Sequence, residues 1–163
     1  MEFNVLIEVG AGGNVKYELD EKTQELKVDR FLHSSLVYPF NYGSIENTQG
    51  EDGDPLDALV LSEMPVEPGV TIKCRPIGLL EMEDEAGIDT KIIAVPEISI
   101  DPVFGKYDEI NDVPKATLDE IAHFFKNYKS LEPGKWVKIG GYHHKSLAEK
   151  AIREAQEKNN SSE

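Results

Sequence analysis

The stretch Gly50-Glu51-Asp52-Gly53-Asp54-Pro55-Leu56-Asp57 most limits what this chain can fold into. It carries acids at i, i+2 and i+5 and runs directly into Ala58-Leu59-Val60-Leu61, which reads as the entry to a buried strand. No Lys or Arg lies between Arg30 and Lys73, so nothing near in sequence neutralises these acids. Carboxylates held together without a cation protonate or repel one another apart. A hard divalent cation is the less costly answer, because Mg²⁺ takes oxygen ligands and accepts phosphates in its shell. Gly53 permits backbone angles closed to other residues. Pro55 fixes its own φ and pushes Asp54 toward an extended conformation. Asp52 and Asp54 then share a face, and Asp57 joins them only if the chain turns near Pro55-Leu56. The competing reading is an acidic surface turn before a strand. An EF-hand is excluded, because Asp57 stands where that loop needs glycine and apolar residues fill its second half.

A chain of 163 residues fits one domain with a substantial core. Its net charge of −14 argues against nucleic acid and anionic membrane as partners, since both need a basic face. No apolar run approaches a membrane span, and Met1-Glu2-Phe3-Asn4 lacks the start of a signal peptide. The single cysteine, Cys74, cannot form an internal disulfide, so a cytoplasmic location is expected. It reads as a buried structural thiol rather than a nucleophile.

Strands are expected over residues 3–9, 16–20, 25–30, 70–80 and 91–95 from alternation and apolar content. The glycines of residues 10–13 lack the spacing of a nucleotide loop. Residues 31–48 read as irregular and aromatic, and Pro76 suggests a bulge or an edge. The second acidic group, residues 81–89, is expected in a hairpin loop. Residues 98–113 read as loop. A capping box at Thr117-Leu118-Asp119-Glu120 opens a helix that ends at Tyr128-Lys129. Trp136-Val137-Lys138-Ile139 reads as the last strand, and Ser146-Leu147-Ala148-Glu149 caps a second helix. Residues 156–163 are expected to fray. The whole predicts one domain over residues 1–163, α+β but mainly β: a small twisted barrel with two late helices.

The acids alone indicate a metal. Set beside Lys16, Arg30, Lys91 and Lys129, they suit phosphoryl chemistry, in which metals draw charge from phosphorus and cations neutralise the outer oxygens. A metal-dependent phosphohydrolase and a non-catalytic metal-binding module both remain open on these residues. The segment Asp52-Gly53-Asp54-Pro55-Leu56-Asp57 resembles the signature of family I soluble inorganic pyrophosphatases. Further segments follow in that family's order: Lys16-Tyr17-Glu18, Val28-Asp29-Arg30-Phe31, Tyr38-Pro39 with Asn41-Tyr42-Gly43, Asp84 to Asp89 with Lys91, and His123-Phe124-Phe125 with Tyr128-Lys129. The likeness is to the shorter, prokaryotic members.

The resemblance implies a five-stranded OB-like barrel, cytoplasmic and commonly a homohexamer. It also implies Mg²⁺-dependent hydrolysis of pyrophosphate to two phosphates, by direct attack of a metal-bound hydroxide. Mn²⁺ and Zn²⁺ are possible substitutes, and substrate would arrive as a magnesium complex. By the same resemblance Asp52, Asp57 and Asp89 are metal ligands, Asp84 with Asp89 meets an ion arriving with substrate, and Glu18 and Glu8 support a further ion. Asp54 corresponds to the general base and Tyr42 to a hydroxyl near the nucleophile and phosphate. Lys16, Arg30, Lys91, Tyr128 and Lys129 correspond to phosphate-binding positions. A related hydrolase acting on nucleotides or polyphosphate is the nearest rival.

Overall fold

The apolar run after the acidic stretch becomes a central strand, β5 (Asp57–Val60), paired on both edges. A strand buried on both faces needs a continuous apolar sequence rather than an alternating one. Leu59 and Leu61 enter one core cluster with Tyr38, Tyr42, Phe124, Phe125 and Tyr128; Ala58 and Val60 enter another with Ala148 and Ile152. The computed structural model describes residues 1–162.

On one side β5 meets β4 (Asn41–Ile45) antiparallel, and on the other β8 (Lys91–Pro96) parallel. β4 pairs with β1 (Phe3–Val9), and β8 with the long β6 (Thr71–Asp84). Because β1 also pairs with β6, the five strands close in the order β1-β4-β5-β8-β6. This is the expected OB-like barrel, and closure leaves no free edge in the ring. β6 extends beyond the ring to pair with the short β7 (Gly87–Ile88) and with β9 (Val137–His144). β2 (Val15–Asp20) and β3 (Glu25–Phe31) form a separate two-stranded sheet. The helices are α1 (Lys115–Asn127) and α2 (Lys145–Ser161), and neither is long and apolar enough to cross a membrane.

Several boundaries differ from the sequence reading, each for a local reason. β4 lies inside the segment expected to be irregular. Its first residue, the buried Asn41, accepts from Ala11 N (2.9 Å) and Val66 N (2.8 Å) and donates to Ser62 Oγ (2.6 Å) and Met64 O (2.9 Å). One amide thus ties β4 to two other chain segments, which hydropathy does not register. β6 continues to Asp84 and β7 pairs with its end, so within the second acidic group Glu85-Ala86 form the turn between two strands. α1 begins at Lys115 behind Pro114, and Thr117 lies in its first turn. α2 begins at Lys145, whose N–H donates to the Glu109 carboxylate at 3.1 Å, so a distant acid takes the role expected of Ser146. β9 runs five residues beyond Ile139, to His144. The tail expected to fray is helical as far as Ser161, and Ser162 Oγ donates to Gln49 Oε1 at 2.7 Å; Glu163 lies outside the described residues. Pro76 does mark a bulge, since the β6–β8 register shifts between Pro76 and Gly78.

Cys74 is fully buried, and burial pushes its thiol up to about 12. It should resist thiol reagents in the native protein at neutral pH and react on unfolding; rapid native labelling would contradict this. A second prediction concerns Gly43, which crosses β1 so closely that a Cβ would stand 1.9 Å from the Leu6 carbonyl oxygen. Gly43→Ala must push two paired strands apart, an overpacking cost of about 1–3 kcal/mol or more. A wild-type urea midpoint for that variant would show that the β1–β4 approach is not tight.

Candidate active site

The parallel β5–β8 pairing sets Asp57 against Lys91. Lys91 is a charge in the core, with its side chain 3% exposed. Its ammonium donates to Tyr42 Oη (2.8 Å), Asp57 Oδ2 (2.9 Å) and Asp89 Oδ1 (3.0 Å). An ammonium has three protons, and all are used. Tyr42 Oη in turn donates to Asp57 Oδ2 at 2.7 Å. Nζ also lies 5.3 Å from the Tyr42 ring centroid and 5.8 Å from that of Phe125, within cation–π range. Burial alone would lower the Lys91 pKa, but Asp57, Tyr42 and Asp89 raise it well above its ordinary value. Burial pushes Asp57 up, yet Lys91 and the Tyr42 hydroxyl outweigh it and hold the carboxyl below its usual range.

The acidic loop ahead of β5 is shaped by short backbone contacts. Gly53 takes φ +88°, a left-handed value that favours glycine. Asp54 N donates to Asp52 Oδ1 (3.0 Å) and Gly50 N to Asp54 O (2.7 Å). Asp52 and Asp54 are exposed, and partial desolvation followed by the charges of Asp52 and Asp57 raises the Asp54 pKa. Asp52, Asp57 and Asp89 line one groove of about 540 Å³, which Asp54 does not line. Gln49 N donates to Ala155 O at 3.0 Å, which ties the loop to α2.

Glu8, near the end of β1, is buried with little to balance it. Its pKa is pushed up to about 7, first by burial and then by Asp57, with Glu18 adding and Lys16 opposing.

The remaining cations come from two other elements. In the hairpin, Lys16 stands opposite Arg30. Like charges in that position repel, and Asp29 lies between them, 2.9 Å from Arg30 Nη1 and 4.0 Å from Lys16 Nζ. Beyond α1, Lys129 Nζ meets Asp84 at 2.8 Å and Glu85 at 3.4 Å. Burial raises the Asp84 pKa, but Lys129 and the Ala86 N–H more than offset it. Tyr128 stands in an aromatic wall, its ring centroid 5.4 Å from Phe124, 5.6 Å from Phe125 and 6.4 Å from Tyr38. The structure thus gathers Tyr42, Asp57 and Asp89 on Lys91, Lys16 and Arg30 on Asp29, and Asp84 on Lys129, with Asp52 sharing a groove with Asp57 and Asp89; among the described residues no hydrogen bond or ion pair joins the Glu8, Glu18 or Asp54 carboxylates to these groups. Sequence reasoning missed Glu85, Glu132 and the wall role of Tyr38. Tyr38 had a signal in its place beside Pro39 in the aromatic segment, and Glu85 in the second acidic group, whereas Glu132 had none.

Among the described residues no group of three His, Cys, Asp or Glu side chains is arranged to hold a metal. The chemistry of the donors still fits a hard cation: they are carboxylate oxygens, and Glu8 sits beside Asp57 at a cost that a divalent charge would remove. A pH test follows. A carboxyl raised from 4.5 to about 7 contributes its full stability below pH 4.5 and loses it as pH rises through 7. In EDTA, the stability of wild type relative to Glu8→Gln should fall by about 3 kcal/mol between roughly pH 5 and pH 8. Urea unfolding measures this, and a difference independent of pH would remove the electrostatic account of Glu8.

The family model described as inorganic pyrophosphatase matches residues 5–160. An inorganic pyrophosphatase of Aeropyrum pernix is 50% identical over 95% of this chain and 88% of its own. A solved inorganic pyrophosphatase from Helicobacter pylori superposes with a TM-score of 0.95 at 46% identity, covering 98% of this chain and 94% of that one. That from Thermus thermophilus gives 0.93 at 42% identity, over 98% and 91%. With a match spanning nearly its whole length, the chain belongs to the inorganic pyrophosphatase family.

Proposed function

We propose that this protein hydrolyses inorganic pyrophosphate to two phosphates with Mg²⁺ as cofactor. The observation that carries the reading is the bank of carboxylates lining one groove beside Lys91, with Lys16, Arg30 and Lys129 on adjoining elements. Asp52, Asp57 and Asp89 would hold Mg²⁺, with Glu8, Glu18 and Asp84 supporting further ions. Bound Mg²⁺ supplies positive charge that offsets the acidic surface and makes a water more acidic. The oxygen-only donor set favours Mg²⁺ over Zn²⁺, with Mn²⁺ a closer substitute.

The chain's own groups do the rest. Asp54, exposed and with a raised pKa, accepts the proton of the attacking water. The water oxygen bonds to one phosphorus, the bridging P–O bond breaks, and the second phosphate leaves. Lys16, Arg30, Tyr128 and Lys129 bind the outer oxygens. Tyr42 orients Asp57 and Lys91 through the two hydrogen bonds at its hydroxyl.

Substrate enters as its magnesium complex, since the protein carries a net charge of −14. A cytoplasmic location suits the lone buried cysteine. Exposed Met64, Ile100 and Val103 line one shallow apolar depression, which supports assembly into a homo-oligomer, a hexamer by family resemblance.

Phosphate release from pyrophosphate should require Mg²⁺ and exceed release from ATP or tripolyphosphate. Equal rates on all three would favour a general polyphosphate hydrolase. Asp54→Asn should lower kcat by about 10²–10⁴-fold with Mg²⁺ affinity largely kept. Near-normal turnover in that variant would remove Asp54 as the base.

A further inference from the structure

The β2–β3 hairpin carries Lys16, Glu18 and Arg30, yet it shares no backbone ladder with the barrel. A two-stranded hairpin is marginal by itself, so its cations need an external anchor. Among the described residues, three of its ion pairs are internal: Lys27–Asp20, Lys16–Asp29 and Arg30–Asp29. The fourth, Arg30–Glu132, alone reaches another element.

Glu132 lies in the turn after α1, where its N–H donates to Lys129 O at 3.1 Å. Its side chain is 10% exposed, and Oε2 stands 3.5 Å from Arg30 Nε. Neither atom has a hydrogen-bond partner among the described residues, so each faces only the other. A carboxylate buried in this way is costly without an opposing charge. With Asp29 on Nη1 and Glu132 before Nε, the guanidinium is held on two sides. Among the described residues Nη2 has neither a hydrogen bond nor an acid within ion-pair distance, so it is the donor edge left to an incoming anion.

We propose that Glu132 is a positioning residue for substrate binding. It docks the hairpin on the Lys129 turn and orients Arg30, and so fixes the spacing between two sets of phosphate-binding groups: Lys16 and Arg30 on one side, Tyr128 and Lys129 on the other. The inference rests on the pyrophosphatase reading.

The test is a double-mutant cycle with Glu132→Gln and Arg30→Gln, read by KM and kcat for magnesium pyrophosphate. Calorimetry with inorganic phosphate in Mg²⁺ supplies a second readout, and Glu132→Asp serves as the conservative variant. Glu132→Gln should raise KM and weaken phosphate binding by roughly tenfold while kcat stays within about threefold, the signature of lost uniform binding. Glu132→Asp should recover part of that loss. In the Arg30→Gln background the Glu132 change should have little further effect. An unchanged KM, or a defect of full size without Arg30, overturns the proposal. If Glu132→Gln does not fold, the same cycle runs with Glu132→Asp, where additivity is again the contrary result. A wild type that releases no phosphate from pyrophosphate overturns the functional reading instead, and the phosphate calorimetry still judges the coupling because it needs no turnover.

Discussion

Closure of the barrel and assembly of the site depend on the same buried ammonium. Lys91 sits at the one parallel seam of the ring, and taking its charge out of water costs several kcal/mol unless every proton is bonded. Tyr42, Asp57 and Asp89 meet that demand from β4, β5 and the turn before β8. A slip of one residue in β5 or β8 would send the lysine and its carboxylates to opposite faces. The register that joins the strands is therefore also the register that gathers the functional groups.

That arrangement divides the carboxylates into two populations. Asp57 and Asp84 are held low by a lysine each, so they remain anionic across the physiological range. Glu8 and Asp54 are pushed upward by burial and by neighbouring acids, with Lys16 opposing from beyond ion-pair distance among the described residues. Similar groups are thereby given opposite proton affinities by their surroundings. The division comes from position alone, since all four are ordinary carboxyls in the sequence.

The legible parts of the chain were those whose signal is local. The strand after Asp57, the bulge at Pro76 and the presence of two late helices follow from apolar runs and backbone chemistry within a few residues. β4 was not legible, because what fixes it is Asn41 bonded to residues 25 positions or fewer beyond it and 30 before it. The start of α2 was missed for the same reason, its first N–H being capped by Glu109, 36 residues away. In the site, the acids and lysines could be picked out by type and order. Glu132 could not, since a lone glutamate before Pro133-Gly134 looks like any turn residue until the fold sets it against Arg30.

The cations of the site are not free charges waiting for an anion. Arg30 and Lys16 share Asp29, Lys129 holds Asp84, and Lys91 is saturated. An incoming phosphate group must displace a carboxylate or share its cation, and displacement leaves an acid without a partner in a protein already at −14. Exchange of one anion for another on the same lysine gains little. The balance changes if divalent charge takes up the released carboxylates as phosphate takes up the lysines. Metal and polyanion then favour each other's binding, and reciprocal coupling of this kind follows from linkage alone.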